Sequence, residues 1–459
     1  MRKPLLEPEF LSAILEIRRF NKDVKAYSNK QHLIIAVERA GGYIYRKEFD
    51  IFPDGVDDAR NTFITERIVK MILWVIGGHT IYIAGSHVVY HNIKDYYRDG
   101  GLRSFDYHFW STTFEQEVVV KECDYNSIPK EKHCSDHAGG HLDGRRIGFD
   151  AGGSDIKISA VKDGKVISSE EIVWLPKLNE DISYHYDHIY KAMKVGVDRL
   201  GGDVDAIGIS SAGVIVSDRP MVSSIFIKIP KKDFELVKYA YVNAVHRLEK
   251  ELGHKIAYVV ANDGDVTALA GAYDLEDGCV LGISMGTSEA GGYVDRNGNL
   301  PGWFSELAFV PVDFNPNAEV DEWSGDFGVG CKYFSQDAVI KLLPKAGIEV
   351  DPNLTLAEKL SFVQSLMEQD DPRAKQIYET IGVYLAHGLA LYAEFYEIRH
   401  VLLLGRVTSG KGGDIILRVA KQTLEEDFPE YAHFELSMPS ERMRRVGQSI
   451  SAASLPEIK

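Results

Sequence analysis

Asp150, Gly152, Gly153 and Ser154 fall within five residues, between two apolar-rich runs, in RIGFDAGGSDIKISAV (146–161). A turn with two glycines lets the backbone come close to an anion and converge several N–H groups on it. Ser154 adds a hydroxyl donor, and Asp150 is placed to hold a metal-bound water. Taken alone, the same stretch reads better as a simple glycine-rich hairpin, because short glycine motifs recur by chance. It is neither a GxxxxGK[ST] loop nor a GxGxxG turn. Asp155, just beyond the serine, poses a question: aimed away from the turn it is harmless, and aimed inward it repels a phosphate unless a cation intervenes.

A second strand-turn-strand, GISMGTSEAGG (282–292), carries Gly286, Thr287 and Ser288. Two such hairpins can clasp a polyphosphate, which moves the reading of 150–154 from hairpin to phosphate site. A third glycine turn, LLLGRVTSGKGG (402–413), brings Gly405 and Arg406 between a buried strand and a helix, a place for a base or ribose. Between the hairpins lies VANDGD (260–265). An aspartate at the end of a strand and the start of a helix can take a proton from an alcohol, so Asp263 is the candidate base. Asn262 beside it suits a polyol, or either residue simply caps the helix. In GWFSELAFVPVD (302–313), Glu306 among aromatic residues fits a sugar, whose hydroxyls bond the acid while its C–H face packs on a ring. A surface acid in an aromatic loop fits the same residues.

These residues need a scaffold, and 459 residues suffice for two or three domains. No stretch reaches the roughly 18 apolar residues of a membrane helix, so no membrane role is expected. The first twenty residues make a poor signal peptide. A net charge of −16 argues against nonspecific nucleic-acid binding. Four scattered cysteines without a CxxC pair suggest free thiols in a reducing compartment, so a cytoplasmic location is expected. The group Cys123, His133, Cys134, His137 and His141 matches no zinc spacing and reads as an incidental linker.

The polar, glycine-bearing segment 124–146 marks a boundary. Before it, residues 10–20 and 62–76 have helical spacing, while 33–39, 43–52, 79–85 and 114–122 read as strands. After it come three strand candidates (146–152, 155–164, 165–174), a helix (about 185–200), a strand (204–214), a strand running into a helix (257–274) and a second meander (279–300). Helices dominate later, notably 374–397, before a buried strand at 400–407. Two lobes, each with a mixed sheet, are the economical arrangement.

Together these motifs resemble the ROK family (repressors, open reading frames and kinases) of the actin-like sugar kinase and ATPase superfamily, from about residue 146 to the end. DAGGSDIK (150–157) is similar to its phosphate turn D-x-G-G-T-x-x-K/R, with Ser154 for threonine. NDGDVTALAGA (262–272) resembles N-D-A-N-A-A-A-L-G-E, SMGTSEAGGY (284–293) resembles L-G-T-G-x-G-G-G, and LLLGRVTSG (402–410) resembles the adenosine-side turn with Arg406 for its second glycine. The resemblance implies an α/β two-lobed actin-like (ribonuclease H-like) fold with mixed sheets and an extra N-terminal α+β region. Its implied parts are an accessory region 1–145, lobe I at 146–261 with a C-terminal helix about 438–459, and lobe II at 262–437.

The implied activity is that of an ATP-dependent carbohydrate kinase. ATP with Mg²⁺ would lie in the cleft, its phosphates on Asp150, Gly152, Gly153, Ser154, Gly286, Thr287 and Ser288, with Gly405 and Arg406 on the nucleoside side. Asp263 would act as base, Asn262 and Glu306 as sugar ligands, and Asp150 would hold Mg²⁺ through water. Departures are equally specific. G-E-x-G-H becomes SELAF (305–309), with Phe309 where the histidine would be. The zinc segment C-x-C-G-x-x-G-C falls over WSGDFGVGCKYF (323–334), which keeps only Cys331, so no zinc is expected. Ser288 and Glu289 bring polar and acidic groups to the second turn. These departures leave open a non-kinase sugar sensor, or an ATPase driving another reaction. A repressor is disfavoured, because residues 1–145 are strand-rich and twice the usual length of a helix-turn-helix. That region reads either as an accessory domain or as a homodimer interface.

Overall fold

A computed structural model describes residues 2–133, 139–440, 443 and 447–459. They divide into two compact units: residues 1–134, 283–291 and 305–437 form one, and 135–282, 292–304 and 438–459 the other.

The first unit begins with the helix Ala13–Ala26 and a four-stranded sheet in the order β2-β1-β3-β4. Its strands are β1 (Gln31–Glu38), β2 (Ile44–Ile51), β3 (Thr80–Ala84) and β4 (Val119–Glu122). β1 pairs antiparallel with β2 and β3, and its run Leu33–Val37 is wholly buried. The long helix Asp58–Val75 starts at Asp57, whose side chain accepts the Arg60 N–H. Fourteen of its eighteen residues are buried, Glu66, Arg67 and Lys70 among them. A helix buried on every side must pair its charges internally. The helix Ser104–Phe114, missed in the sequence because its aromatic residues form no single stripe, shortens the strand read at 114–122 to β4.

Helix Pro372–Tyr392 is the spine of the unit, packing on the helices Lys411–Asp427 and Ala13–Ala26. The N-terminal stretch is therefore built into the same unit as residues 305–437 rather than standing apart as a separate domain.

The second unit holds a five-stranded sheet in the order β11-β8-β5-β6-β7. Here β5 is Arg145–Ala151, β6 Asp155–Lys162, β7 Lys165–Val173, β8 Ala206–Ser211 and β11 Ala257–Asn262, with the small pair β9 (Val214–Val216) and β10 (Arg219–Val222) between. β5, β6 and β7 form the expected antiparallel meander, and β5, β8 and β11 run parallel. Helices Ile182–Arg199 and Ala240–Leu252 bury Ile189, Met193, Ala244 and Leu248 in the core of this unit. Among the described residues the C-terminal α-helix is Gln448–Ala453. It lies so close to the sheet that a Cβ on Gly148 or Gly208 would sit 1.6 Å from the carbonyl oxygens of Ser449 and Ala452. Only glycine permits that approach.

A further sheet has the order β13-β12-β14-β15, from β12 (Val280–Met285), β13 (Glu289–Val294), β14 (His400–Leu404) and β15 (Glu435–Ser437). Among the described residues no helix is long and apolar enough to cross a membrane.

Candidate functional site

In the second unit the carboxyl ends of three parallel strands converge, the usual place for a ligand in such sheets. Asp150 of β5 stands level with Ser210 of β8, and Ala151 with Ser211, which in turn is level with Asn262 of β11. Asp150 is 7% exposed. Burial raises its carboxyl to about 6, with the charges of Asp263 and Asp155 adding to the effect and Ser210 and Lys157 opposing it. Burial also raises the carboxyl of Asp263, the first residue of the helix Asp263–Leu275. One Asp263 oxygen accepts the Gly264 N–H at 3.0 Å, and its backbone carbonyl accepts from the side chain of Gln448 at 3.2 Å.

Asn262 caps that helix: its side-chain oxygen accepts the Gly264 N–H at 2.7 Å and its amide donates to the Gly213 carbonyl at 2.7 Å. The helix-cap reading of VANDGD therefore applies to Asn262, while Asp263 keeps a carboxylate oxygen for other partners.

The turn 151–155 is held from behind by Trp174. Its backbone N–H donates to the Ser154 carbonyl at 3.1 Å and its indole N–H to the Gly152 carbonyl at 2.9 Å. With those carbonyls engaged, the N–H groups of Gly153 and Ser154 have no acceptor among the described residues. The Asp155 side chain folds back on the turn, since a Cβ at Gly152 would lie 2.6 Å from its Oδ1. Asp155 thus lies inward, against the glycine of the cradle. Sequence reasoning missed Trp174 and its neighbour Lys177, whose Cε and Nζ both lie 3.3 Å from where a Gly153 Cβ would be.

The first unit holds the second set. Gly286 donates its N–H to the Ser288 carbonyl at 3.0 Å, leaving Thr287 and Ser288 exposed at the tip. Gly405, with φ 96°, packs on Met285 so tightly that a Cβ would lie 2.4 Å from the Met285 carbonyl. The structure thereby brings the 286–288 and 405–406 turns together, with the Arg406 residue exposed.

Glu289, one residue on, turns away from the tip into the core of this unit. It is 4% exposed and accepts from the Tyr392 hydroxyl at 3.1 Å, while its other oxygen has no hydrogen-bond partner beside Gly330. Burial raises its carboxyl to about 8, opposed by Tyr392. The folded form therefore holds a proton that the unfolded chain releases near pH 4.5. Its contribution to stability is full below that pH and is lost as pH rises through about 8. Glu289→Gln, a neutral isostere, should gain stability relative to the unaltered protein steadily from pH 5 to pH 8. Urea midpoints at the two pH values test this, and a pH-independent difference would refute it.

Glu306 is partly buried and donates its N–H to the carbonyl of Trp74, while Ser305 donates to that of Val75, both at 2.9 Å. The end of the helix Asp58–Val75 therefore sets the backbone of Ser305 and Glu306. Phe309, standing where the resemblance calls for histidine, packs 4.4 Å from Trp74 and 5.1 Å from Trp323, within a cluster that includes Phe105 and Phe109. The loop 321–334 is pinned by Asp326, 2% exposed. Asp326 accepts from Arg67 at 3.1 Å and pairs with Arg103 at 2.7 Å and Lys70 at 3.3 Å. Cys331 is buried, its thiol 3.6 Å from Asp321, and burial with the nearby acids Asp321 and Glu289 pushes its pKa up. A protonated thiol is a poor metal ligand. Cys134 and His137 lie outside the described residues.

A cavity of about 1220 Å³ between the helices Ile182–Arg199 and Ala240–Leu252 contains none of the residues above. Among the described residues no group of three or more His, Cys, Asp or Glu is placed to hold a metal ion. Mg²⁺ needs less, because it keeps most of its waters and takes one or two carboxylates beside substrate phosphates.

No protein-family model and no curated protein sequence matches the chain. Solved structures do. A ROK hexokinase from Thermus thermophilus superposes with a TM-score of 0.53 at 18% identity, covering 68% of this chain and 98% of the hexokinase. A ROK family transcriptional regulator, described as a homologue of the E. coli MLC protein, gives 0.52 at 16% identity, covering 68% and 79%. The likeness is one of fold: about two-thirds of the chain shares the mixed α/β architecture of these two ROK proteins.

Proposed function

We propose that this protein, with its ROK-like fold, is an ATP-dependent phosphotransferase acting on a hydroxyl of a sugar or sugar-like polyol. The observation that carries the reading is the convergence of Asp150, the 151–155 turn and Asp263 at the carboxyl ends of parallel strands. Asp263 removes the proton from the attacking hydroxyl. The N–H groups of Gly153 and Ser154 receive phosphate oxygens, and the Gly286–Ser288 turn is the second phosphate contact. Gly405 and Arg406 serve the nucleoside, and Glu306 binds sugar hydroxyls.

The donor set fits a divalent cation: burial holds two carboxylates, Asp150 and Asp263, above their ordinary range, with the charge of Asp263 adding to the effect at Asp150, and a bound cation relieves that cost. Asp150 is the residue to hold Mg²⁺, through water, and the ion would neutralise phosphate charge. The second reading is a sugar-binding sensor of the same fold, favoured by the likeness to a regulator and by Phe309.

ADP release measured with a panel of sugars, polyols and aminosugars separates the two. Dependence on one sugar class supports the kinase, whereas sugar binding without ADP release supports the sensor. Asp150 and Asp263 must be ionised to work, so kcat/KM is expected to fall as pH drops through about 6, about two units above an ordinary aspartate. An acid limb at pH 4 would remove these carboxylates from the titration.

A further inference from the structure

We propose that Lys177 is a phosphate-binding residue of the 151–155 turn, supplying the positive charge with which that turn receives a nucleoside polyphosphate; this rests on the ATP-dependent reading above. Lys177 follows β7 in the short 3-10 turn Pro176–Leu178. Its side chain crosses over Gly153, with Cε and Nζ both 3.3 Å from the place of a Gly153 Cβ. The ammonium therefore lies against Gly153, whose N–H, like that of Ser154, has no acceptor among the described residues. Lys177 is exposed and has neither a hydrogen bond nor an ion pair among the described residues, although three acids surround the turn.

The segment bearing Lys177 is held in place at both ends. Trp174, 1% exposed, is bonded to the turn through both of its N–H groups. The Leu175 N–H donates to the Tyr184 hydroxyl at 3.0 Å, the Asn179 amide donates to the Leu175 carbonyl at 2.7 Å, and Nε2 of the buried His185 lies 3.0 Å from the Pro176 carbonyl. These ties fix the backbone under Lys177 and leave its long stem free to follow a ligand.

The charges around the turn make such a cation necessary. Asp150, Asp155 and Asp263 would together repel a polyphosphate. Lys157, the other lysine here, stands opposite Asp150 in the β5–β6 register and acts on that carboxylate. Lys177, exposed and without an ion pair among the described residues, is the cation left for the ligand.

The test is equilibrium binding of ATP, ADP and adenosine to the full chain in Mg²⁺, with Lys177→Met and Lys177→Arg. Lys177→Met should weaken ATP and ADP by about 10- to 100-fold, the range of a hydrogen bond to a charged group. It should leave adenosine unchanged and make ATP affinity less sensitive to salt. Lys177→Arg should restore most of the loss. Equal ATP affinity in Lys177→Met, or a parallel loss of adenosine, overturns the proposal while leaving the kinase reading intact. Absence of ATP binding by the unaltered protein overturns both. If ATP binds and no sugar is phosphorylated, the kinase reading fails and Lys177 still stands or falls on the affinities.

Discussion

Asp263→Asn should lower sugar-dependent ADP release by about 10²–10⁴-fold, the usual worth of a positioned general base. The substitution keeps the size of the side chain and an oxygen able to accept the Gly264 N–H, so the start of the helix Asp263–Leu275 should survive. It also removes one of the two carboxylates whose repulsion raises Asp150. The Asp150 carboxyl should then shift downward, and ATP binding should hold steady or improve while turnover collapses. That split between binding and kcat identifies a base rather than a structural residue. Equal sugar-independent ADP release in both proteins would end the kinase interpretation. Unchanged sugar phosphorylation in the variant would move the base elsewhere.

Asp326→Ala should be strongly destabilising, at about 3–5 kcal/mol, the cost of breaking a buried ion pair by removing one partner. The cluster balances three cations, Arg67, Lys70 and Arg103, against three acids, Glu66, Asp106 and Asp326. All six side chains are nearly inaccessible. Loss of Asp326 leaves Arg103 and Lys70 short of a counter-charge and frees the loop that carries Trp323 and Cys331. Adding Arg103→Met to Asp326→Ala restores charge balance and should recover part of the loss. Urea midpoints of the three proteins decide the matter, and a loss under about 1 kcal/mol for Asp326→Ala would show that the loop is held otherwise. Sugar affinity should fall with stability, because the same helix that donates Arg67 and Lys70 ends at Trp74 and Val75, which hold the backbone of Glu306 and Ser305.

The motifs were legible because their constraints are local. Alternation at 146–151, 155–162 and 165–173 with tight turns dictates a meander, and the structure has one. The strand-to-helix passage at Asn262–Asp263 is written in the cap itself, since a side-chain amide can satisfy the first N–H groups of a helix without help from distant residues. The helix Ser104–Phe114 escaped notice because its pattern answers to three neighbours at once: Trp74, Phe309 and Trp323 all meet its aromatic residues. Periodicity reports one buried face, and a helix enclosed on several sides offers none.

Orientation was beyond reach for the same reason. Asp155 and Glu289 look alike in sequence, each an acid at the start of a strand after a glycine turn. One folds back over Gly152 and the other enters an apolar core and keeps its proton. Local spacing thus determined which segments form strands, turns and caps, since backbone sterics and short-range hydrogen bonds act within a few residues. Tertiary structure alone decided that residues 1–134 are built into the unit of Glu306, that buried cations hold the 321–334 loop, and that Lys177 lies over the turn at 153. Those outcomes depend on desolvation and on charges far apart in the chain, whose energies exist only once folding has brought them together.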